Sequence, residues 1–371
     1  MKMKKYLFLA LIGGLLLSCS STKEDLSPKG EVLYKWEAKR KSIIDTDDLV
    51  LCYSGGAHRP YVWDKELLQS YITYVDQEGQ EHWLFDGFLF LEIFDTVNKK
   101  KYATGYAGEP ALKEDWKALI DLYFKKGHGV CAIEEYVEEA KERLKAPAKK
   151  HKVVISIPEP IASVTNFGDV NGENLDFTIS DKERLKAVKW YIDYARECFD
   201  KGDFKNVELS GFYWVAETAT HTRTILNLVS DYLNDLNYSF NWIPYWNSDG
   251  YKDWKQVGFN YAYLQPNYYF NDKIEYSRLD EACKAAIEYD MDMEVEFDES
   301  ALVGTQDRGY RLQDYMKAFR DHKIIETKRL AYYQGGTIIH KLRLSDNEAD
   351  QKLYHEFCQF VLDHKKFMEK N

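Results

Sequence analysis

Two hydrophobic rhythms alternate along the chain. Short apolar runs rich in β-branched and aromatic residues recur at 49–54, 85–94, 153–158, 207–217, 239–246, 261–267, 291–297 and 330–334, each with the length of a strand. Between them apolar residues return every three or four positions, as at Leu185, Val188, Ile192 and Ala195, which makes one face of an amphipathic helix. This spacing predicts helices over 64–75, 112–125, 133–144, 181–199, 223–236, 277–289, 312–322 and 347–367. Only the connection 247–259 is too short for more than a turn or two. Eight strands, most followed by a helix, predict an α/β chain folded as a single-domain (β/α)8 TIM barrel. A doubly wound open sheet is the alternative. It would want a glycine-rich phosphate turn after the first strand, and Ser54-Gly55-Gly56 lacks that spacing.

A barrel gathers its functional groups at the carboxyl ends of its strands. The run at 207–217 closes on Glu217 after six uncharged residues. The run at 291–297 carries Glu294 and Glu296 on one face of its pleat, between Met293, Val295 and Phe297, with Asp298 following. Burying carboxylates two residues apart costs free energy unless something pairs or uses them, so Glu217 and Glu296 are the candidate catalytic pair. Arg59 or Arg308 is the expected source of neutralising charge. The other strand ends add Tyr53 with His58 and Arg59, then Asp86, Glu92 and Glu159, and last Tyr333. An isolated acid at such a place is more often solvated or salt-bridged than catalytic.

Acids, amides and flat rings on one rim suit a sugar, whose C–H faces pack on aromatic rings while its hydroxyls need polar partners. The candidate substrate-binding set is Glu294, Trp214, Trp242, Tyr245, Trp246, Tyr263, Gln265, Asn267, Tyr268, Tyr332 and Gln334. Aromatic residues on barrel strands also serve packing alone, and tyrosine is abundant throughout, with 28 in the chain. His221 is alone in its segment and no histidine pair has ligand spacing, so neither a metal nor another cofactor is expected.

The first residues change the picture of where this barrel works. Lys2, Lys4 and Lys5 precede an apolar run from Tyr6 to Leu17 and then Ser18-Cys19, the pattern of a secretory leader. Leu16-Leu17-Ser18-Cys19 resembles a bacterial lipobox, which implies a signal peptide over 1–18 and lipidation at Cys19; an ordinary signal peptide containing a cysteine is the alternative. Ser20 through Asp25 is similar to the lysine-plus-acids signal of surface lipoproteins. A polar tether over 19–41 and a barrel over 42–371 follow, with the outer membrane, facing the cell surface, as the expected location. Loss of the leader's three lysines leaves 47 basic against 61 acidic residues, a charge of −14. No basic stripe is present, so nucleic acid is not an expected partner, whereas a membrane, through the lipid, is. The other cysteines, Cys52, Cys131, Cys198, Cys283 and Cys358, are scattered and odd in number, which reads as isolated thiols.

An acid ending strand four and another ending strand seven is similar to the large clan of retaining glycosidases built on this barrel. That resemblance implies Glu217 as acid/base and Glu296 as nucleophile. The clan usually has Asn directly before the acid/base, where Ala216 stands here. From LVLCYSGG through FDGFLFLEIF, GFYWVAE, WIPYW and MEVEFDE the chain more specifically resembles a family of bacterial, often Bacteroides, lipoproteins known as domain of unknown function 4855. This likeness implies a barrel in a carbohydrate setting and leaves the reaction open. The expected function is therefore a surface glycoside hydrolase with an oligo- or polysaccharide partner. The alternatives are a degenerate barrel that binds glycan without cutting it, and lyase or transferase chemistry on the same scaffold.

Overall fold

Eight strands pair in parallel and in chain order until the last closes on the first. They are β1 (Asp48–Tyr53), β2 (Gly87–Leu91), β3 (His151–Ile157), β4 (Val207–Trp214), β5 (Ser239–Trp242), β6 (Tyr261–Leu264), β7 (Asp292–Glu296) and β8 (Leu330–Tyr333). The computed structural model describes residues 46–147 and 149–369. The leader and the tether with Cys19 therefore lie outside the described residues. Closure is visible in the register, Val50 opposite both Phe88 and Tyr332, and Met293 opposite Leu330.

Helices surround the barrel: α1 (Lys65–Ile72), α2 (Lys113–Tyr123), α3 (Gly129–Ala140), α4 (Asp181–Lys201), α5 (Arg223–Asp235), α6 (Ser277–Glu288), α7 (Gly309–Asp321), α8 (Ile324–Thr327), α9 (Ile338–Leu344) and α10 (Glu348–Met368). The short connection after β5 holds only a 3-10 turn, Tyr251–Asp253. None of the described helices is long and apolar enough to cross a membrane. The five cysteines from Cys52 onward are free thiols, three of them buried.

Several boundaries differ from the sequence reading: the fifth and sixth strands end early, at Trp242 and Leu264, the third helix is Gly129–Ala140, and three further differences have an identifiable setting. The first helix stops at Ile72, because Thr73–Val75 is β-branched and aromatic and pairs with Glu81–Trp83 as a hairpin. The second strand ends at Leu91, and Phe94–Asp95 joins Lys100–Lys101 and Glu109–Pro110 in a small sheet of its own. The fourth ends at Trp214, short of Glu217.

The core has two layers, set by the period-two pleat. Outward side chains such as Val50, Phe90, Ile155, Val295 and Tyr332 pack against the helices, while Leu51, Leu91, Val154, Tyr213, Tyr263 and Ala331 fill the barrel interior. Strand β4 breaks its own alternation. Val207 and Leu209 face the helices, yet beyond the register shift between Leu209 and Gly211 the outward residues are Phe212 and Trp214. The extra residue turns Tyr213 and Val215 inward. Gly211 makes room for the bulge, since a Cβ there would lie 1.9 Å from Ser239 Oγ. Glu217 follows Tyr213 and Val215 at two-residue intervals and reaches over the mouth.

Candidate active site

The pleat of β7 decides the first two groups. Met291, Met293, Val295 and Phe297 pack outward, so Glu294 and Glu296 turn into the barrel, where they are 1% and 2% exposed. Glu217 stands across from them beyond β4 and is half-buried. The inward side of β6 links the two sides through amides. Gln265 Nε2 donates to Glu217 Oε1 at 3.0 Å, Asn267 Nδ2 donates to Gln265 Oε1 at 3.4 Å, and the Asn267 backbone N–H donates to Glu296 Oε2 at 2.7 Å. Asn267 takes a left-handed φ of 53°, which turns that amide toward Glu296. Tyr315 on α7 donates its hydroxyl to the same Glu296 oxygen at 2.5 Å.

Burial raises all three carboxyls, and like charge adds to the rise at Glu294 and Glu296. Glu217 is raised by burial, with Gln265 pulling the other way. Glu296 is raised by burial, against the donors Tyr315 and Asn267 and with the Glu217 charge adding to the rise. Glu294 is raised furthest, by burial and then by Glu296 and Glu217, and its Oε1 is a buried oxygen with no hydrogen-bond partner. Among the described residues no ion pair joins a basic side chain to any of the three. Arg59, expected as a neutralising partner, instead grips Glu92, with Nη2 to Oε1 at 2.6 Å, and Arg308 pairs with Asp272.

Tyrosines, rather than Trp214, supply the low-dielectric wall. Tyr53, Tyr106 and Tyr213 all lie within electrostatic range of Glu217, whose charge helps hold each phenol above its ordinary value after burial. Tyr53 meets Tyr333 edge-on at 5.6 Å, and Phe270, 43% exposed, meets Tyr333 at 5.5 Å. Phe94 stacks between His58 and Tyr106 at 5.4 and 5.5 Å.

Several sequence-predicted binding residues sit elsewhere. Trp214, Trp242 and Tyr332 are fully buried in the helix-facing layer, because their pleat positions point out of the barrel. Trp242 still acts on the site from behind: its indole N–H donates at 2.8 Å to the Ala216 carbonyl, next to Glu217. Tyr332 donates to Asp48 and Tyr268 to Asp314, at 2.6 Å each, both on the outer side. Gln334 is buried and spent on Tyr71, the Leu51 carbonyl and the Gly336 carbonyl. Trp246 is half-buried against the outer core, with the Arg278 guanidinium 5.2 Å from its ring centre. Of the predicted set, Glu217, Glu294, Glu296, Tyr263, Gln265 and Asn267 come together, with Tyr245, 38% exposed, bridged to Gln265 at the rim.

The remaining acids are scaffolding. Asp86 accepts from Thr46 Oγ1 and the Asp48 N–H at the amino-terminal end of the barrel. Glu159 accepts from the backbone and hydroxyl of Thr104, and Asp298 from the Ser300 N–H. Sequence reasoning left Phe94, Tyr106, Tyr213 and Tyr315 out of the site. The parity of Tyr213 with Glu217 was a usable signal; the other three are brought in from the insert after β2 and from a helix, where periodicity is silent about the mouth.

A family profile described as "Domain of unknown function (DUF4855)" matches residues 48–359. No curated protein matches the chain. Among solved structures, a family 18 chitinase from Crocus vernus is 11% identical with a TM-score of 0.43, covering 85% of this chain and 99% of its own. A tryptophan synthase alpha-subunit mutant from Pyrococcus furiosus is 11% identical with a TM-score of 0.38, over 86% of this chain and 99% of its own. The tryptophan synthase alpha subunit from Legionella pneumophila is 10% identical with a TM-score of 0.37, over 90% and 97%.

Proposed function

This chain belongs to the DUF4855 family, and from that premise we propose that it is a surface-anchored glycoside hydrolase acting on an oligo- or polysaccharide through Glu217 and Glu296. Glu296 attacks the anomeric carbon while Glu217 gives its proton to the departing glycosidic oxygen. Glu217 then takes a proton from the water that displaces Glu296, so each catalytic group returns to its starting state. The acid/base must hold a proton near neutral pH, and the raised pKa of Glu217 suits that role. The nucleophile must be held still, and the amide of Asn267 and hydroxyl of Tyr315 hold Glu296.

One observation carries the reading: Glu217 and Glu296, from opposite sides of the barrel, are linked by a hydrogen-bonded chain through Gln265 and Asn267, with no basic partner among the described residues. Hydrolysis by the full chain on a panel of plant and host glycans tests it. Glu217→Gln and Glu296→Gln are each expected to lower turnover by roughly 10³-fold or more with unchanged melting, and the product is expected to retain the substrate's anomeric configuration. Unchanged rates in both variants would remove these residues from the chemistry. Saturable glycan binding without turnover would establish the non-catalytic reading, which Ala216 in place of the usual Asn favours.

A further inference from the structure

We propose that the sugar unit at the mouth carries a free, protonated amine, as in a de-N-acetylated amino sugar, and that Glu294 receives its ammonium group. This rests on the glycan reading above and deepens it to a substrate class.

Glu294 is the residue that the acid/base and nucleophile roles do not use. Its side chain faces inward and is 1% exposed, and its Oε1 has no partner. Other acids near the upper barrel are spoken for: Glu92 by Arg59 and two backbone amides, Glu159 by Thr104, Asp95 by Ala57, Val97 and Asn98, and Glu296 by Asn267 and Tyr315. A buried orphan oxygen is costly, and one two residues from Glu296 on the same inward face points to a ligand group that completes it.

The charges around Glu294 say what kind of group. Glu296 on its own strand and Glu217 from β4 act on it, and both are acids. The titratable groups that it acts on in turn are phenols, Tyr213 on β4, Tyr333 on β8 and Tyr315 on α7. Three carboxyls thus act on one another among neutral rings and amides, and among the described residues no basic side chain pairs with any of them. A sugar hydroxyl would fill the hydrogen bond but leave the excess acid uncompensated. An ammonium group brings three donors and the missing positive charge, and its arrival lets Glu294 release its proton.

Calorimetric titration of the full-length Glu217→Gln protein separates this from a neutral-sugar site, since binding can be read without turnover. Glucosamine and galactosamine oligomers, each against its N-acetylated counterpart, are titrated near neutral pH in buffers of different ionisation enthalpy. The amine forms are expected to bind roughly tenfold or more tightly and to release a proton on binding. Adding Glu294→Gln is expected to abolish the preference and the proton release, while Glu294→Asp keeps part of both; melting curves of each variant show that the fold is intact. Equal or tighter binding of the N-acetylated forms, or a preference that survives in the folded Glu294→Gln variant, would overturn the proposal. Hydrolysis of neutral glycans by the wild type with no amine preference would overturn it too while leaving the hydrolase reading standing, whereas failure of every glycan to bind would take both down.

Discussion

At the scale of single residues, the site is a problem of placing protons. Glu294 and Glu296 both have raised pKa values, chiefly through burial, so the fold favours their protonated forms. A carboxyl raised in this way contributes stability that is complete below its unfolded value, here 4.5, and is lost as pH rises through the folded value. The protein should therefore become less stable on going from mildly acidic to alkaline pH. Glu294→Gln removes the most strongly shifted group while keeping its shape. It is expected to stabilise the fold by on the order of 1–3 kcal/mol near about pH 9, with the gain shrinking toward about pH 5. Melting temperatures of the two proteins across that range check this, and a difference independent of pH would show that Glu294 is not held protonated. The same logic gives the wall of phenols a purpose, since rings that exclude water without supplying charge leave the acids to one another.

At the scale of elements, acids at three strand ends hold loops in place. Asp95 caps the turn of the insert through the Val97 and Asn98 amides and also accepts from Ala57 in the β1 loop. Glu92 ties that loop down through Gly56 and Arg59. Glu159, at the end of β3, accepts from Thr104 two residues before Tyr106, and so fixes the aromatic side of the mouth. Glu159→Ala leaves the Thr104 amide without its acceptor and is expected to cost about 1–3 kcal/mol in local stability. Hydrogen exchange should quicken through 102–108, and glycan affinity should fall more than turnover, because Tyr106 is loosened while Glu217 and Glu296 stay put. Unchanged exchange in that segment would mean that the small sheet of the insert suffices to hold it.

At the scale of the whole molecule, the chain enters the barrel next to Asp48, at the amino-terminal end of β1, while Glu217, Glu294 and Glu296 lie at the opposite end of the barrel axis. The anchor proposed at Cys19 is tested apart from the chemistry at the barrel mouth. Cys19→Ala is expected to move the protein from the membrane fraction to the soluble fraction, and unchanged fractionation would remove the anchor from the proposal.

The order and number of strands were legible because each barrel strand is buried on both faces and writes a continuous apolar run, and because its helix writes a period of 3.6 beside it. Glu294 and Glu296 were legible for the same reason, as acids interrupting such a run. Three things were decided only by the tertiary structure. The bulge between Leu209 and Gly211 sets which residues after it face inward, and a one-residue shift in a pleat of period two exchanges Trp214 for Tyr213 as a wall of the site. Strand ends bend where neighbouring loops hold them, so Tyr268 and Gln334 turn back into the frame although they end strands as candidates should. Tyr106 and Tyr315 reach the acids from an insert and a helix far away in the chain, and no local pattern encodes that meeting. Periodicity reports which side of an element is buried; what lies on the far side of that burial, another hydrophobic layer or a reactive mouth, depends on contacts between segments that the local sequence does not contain.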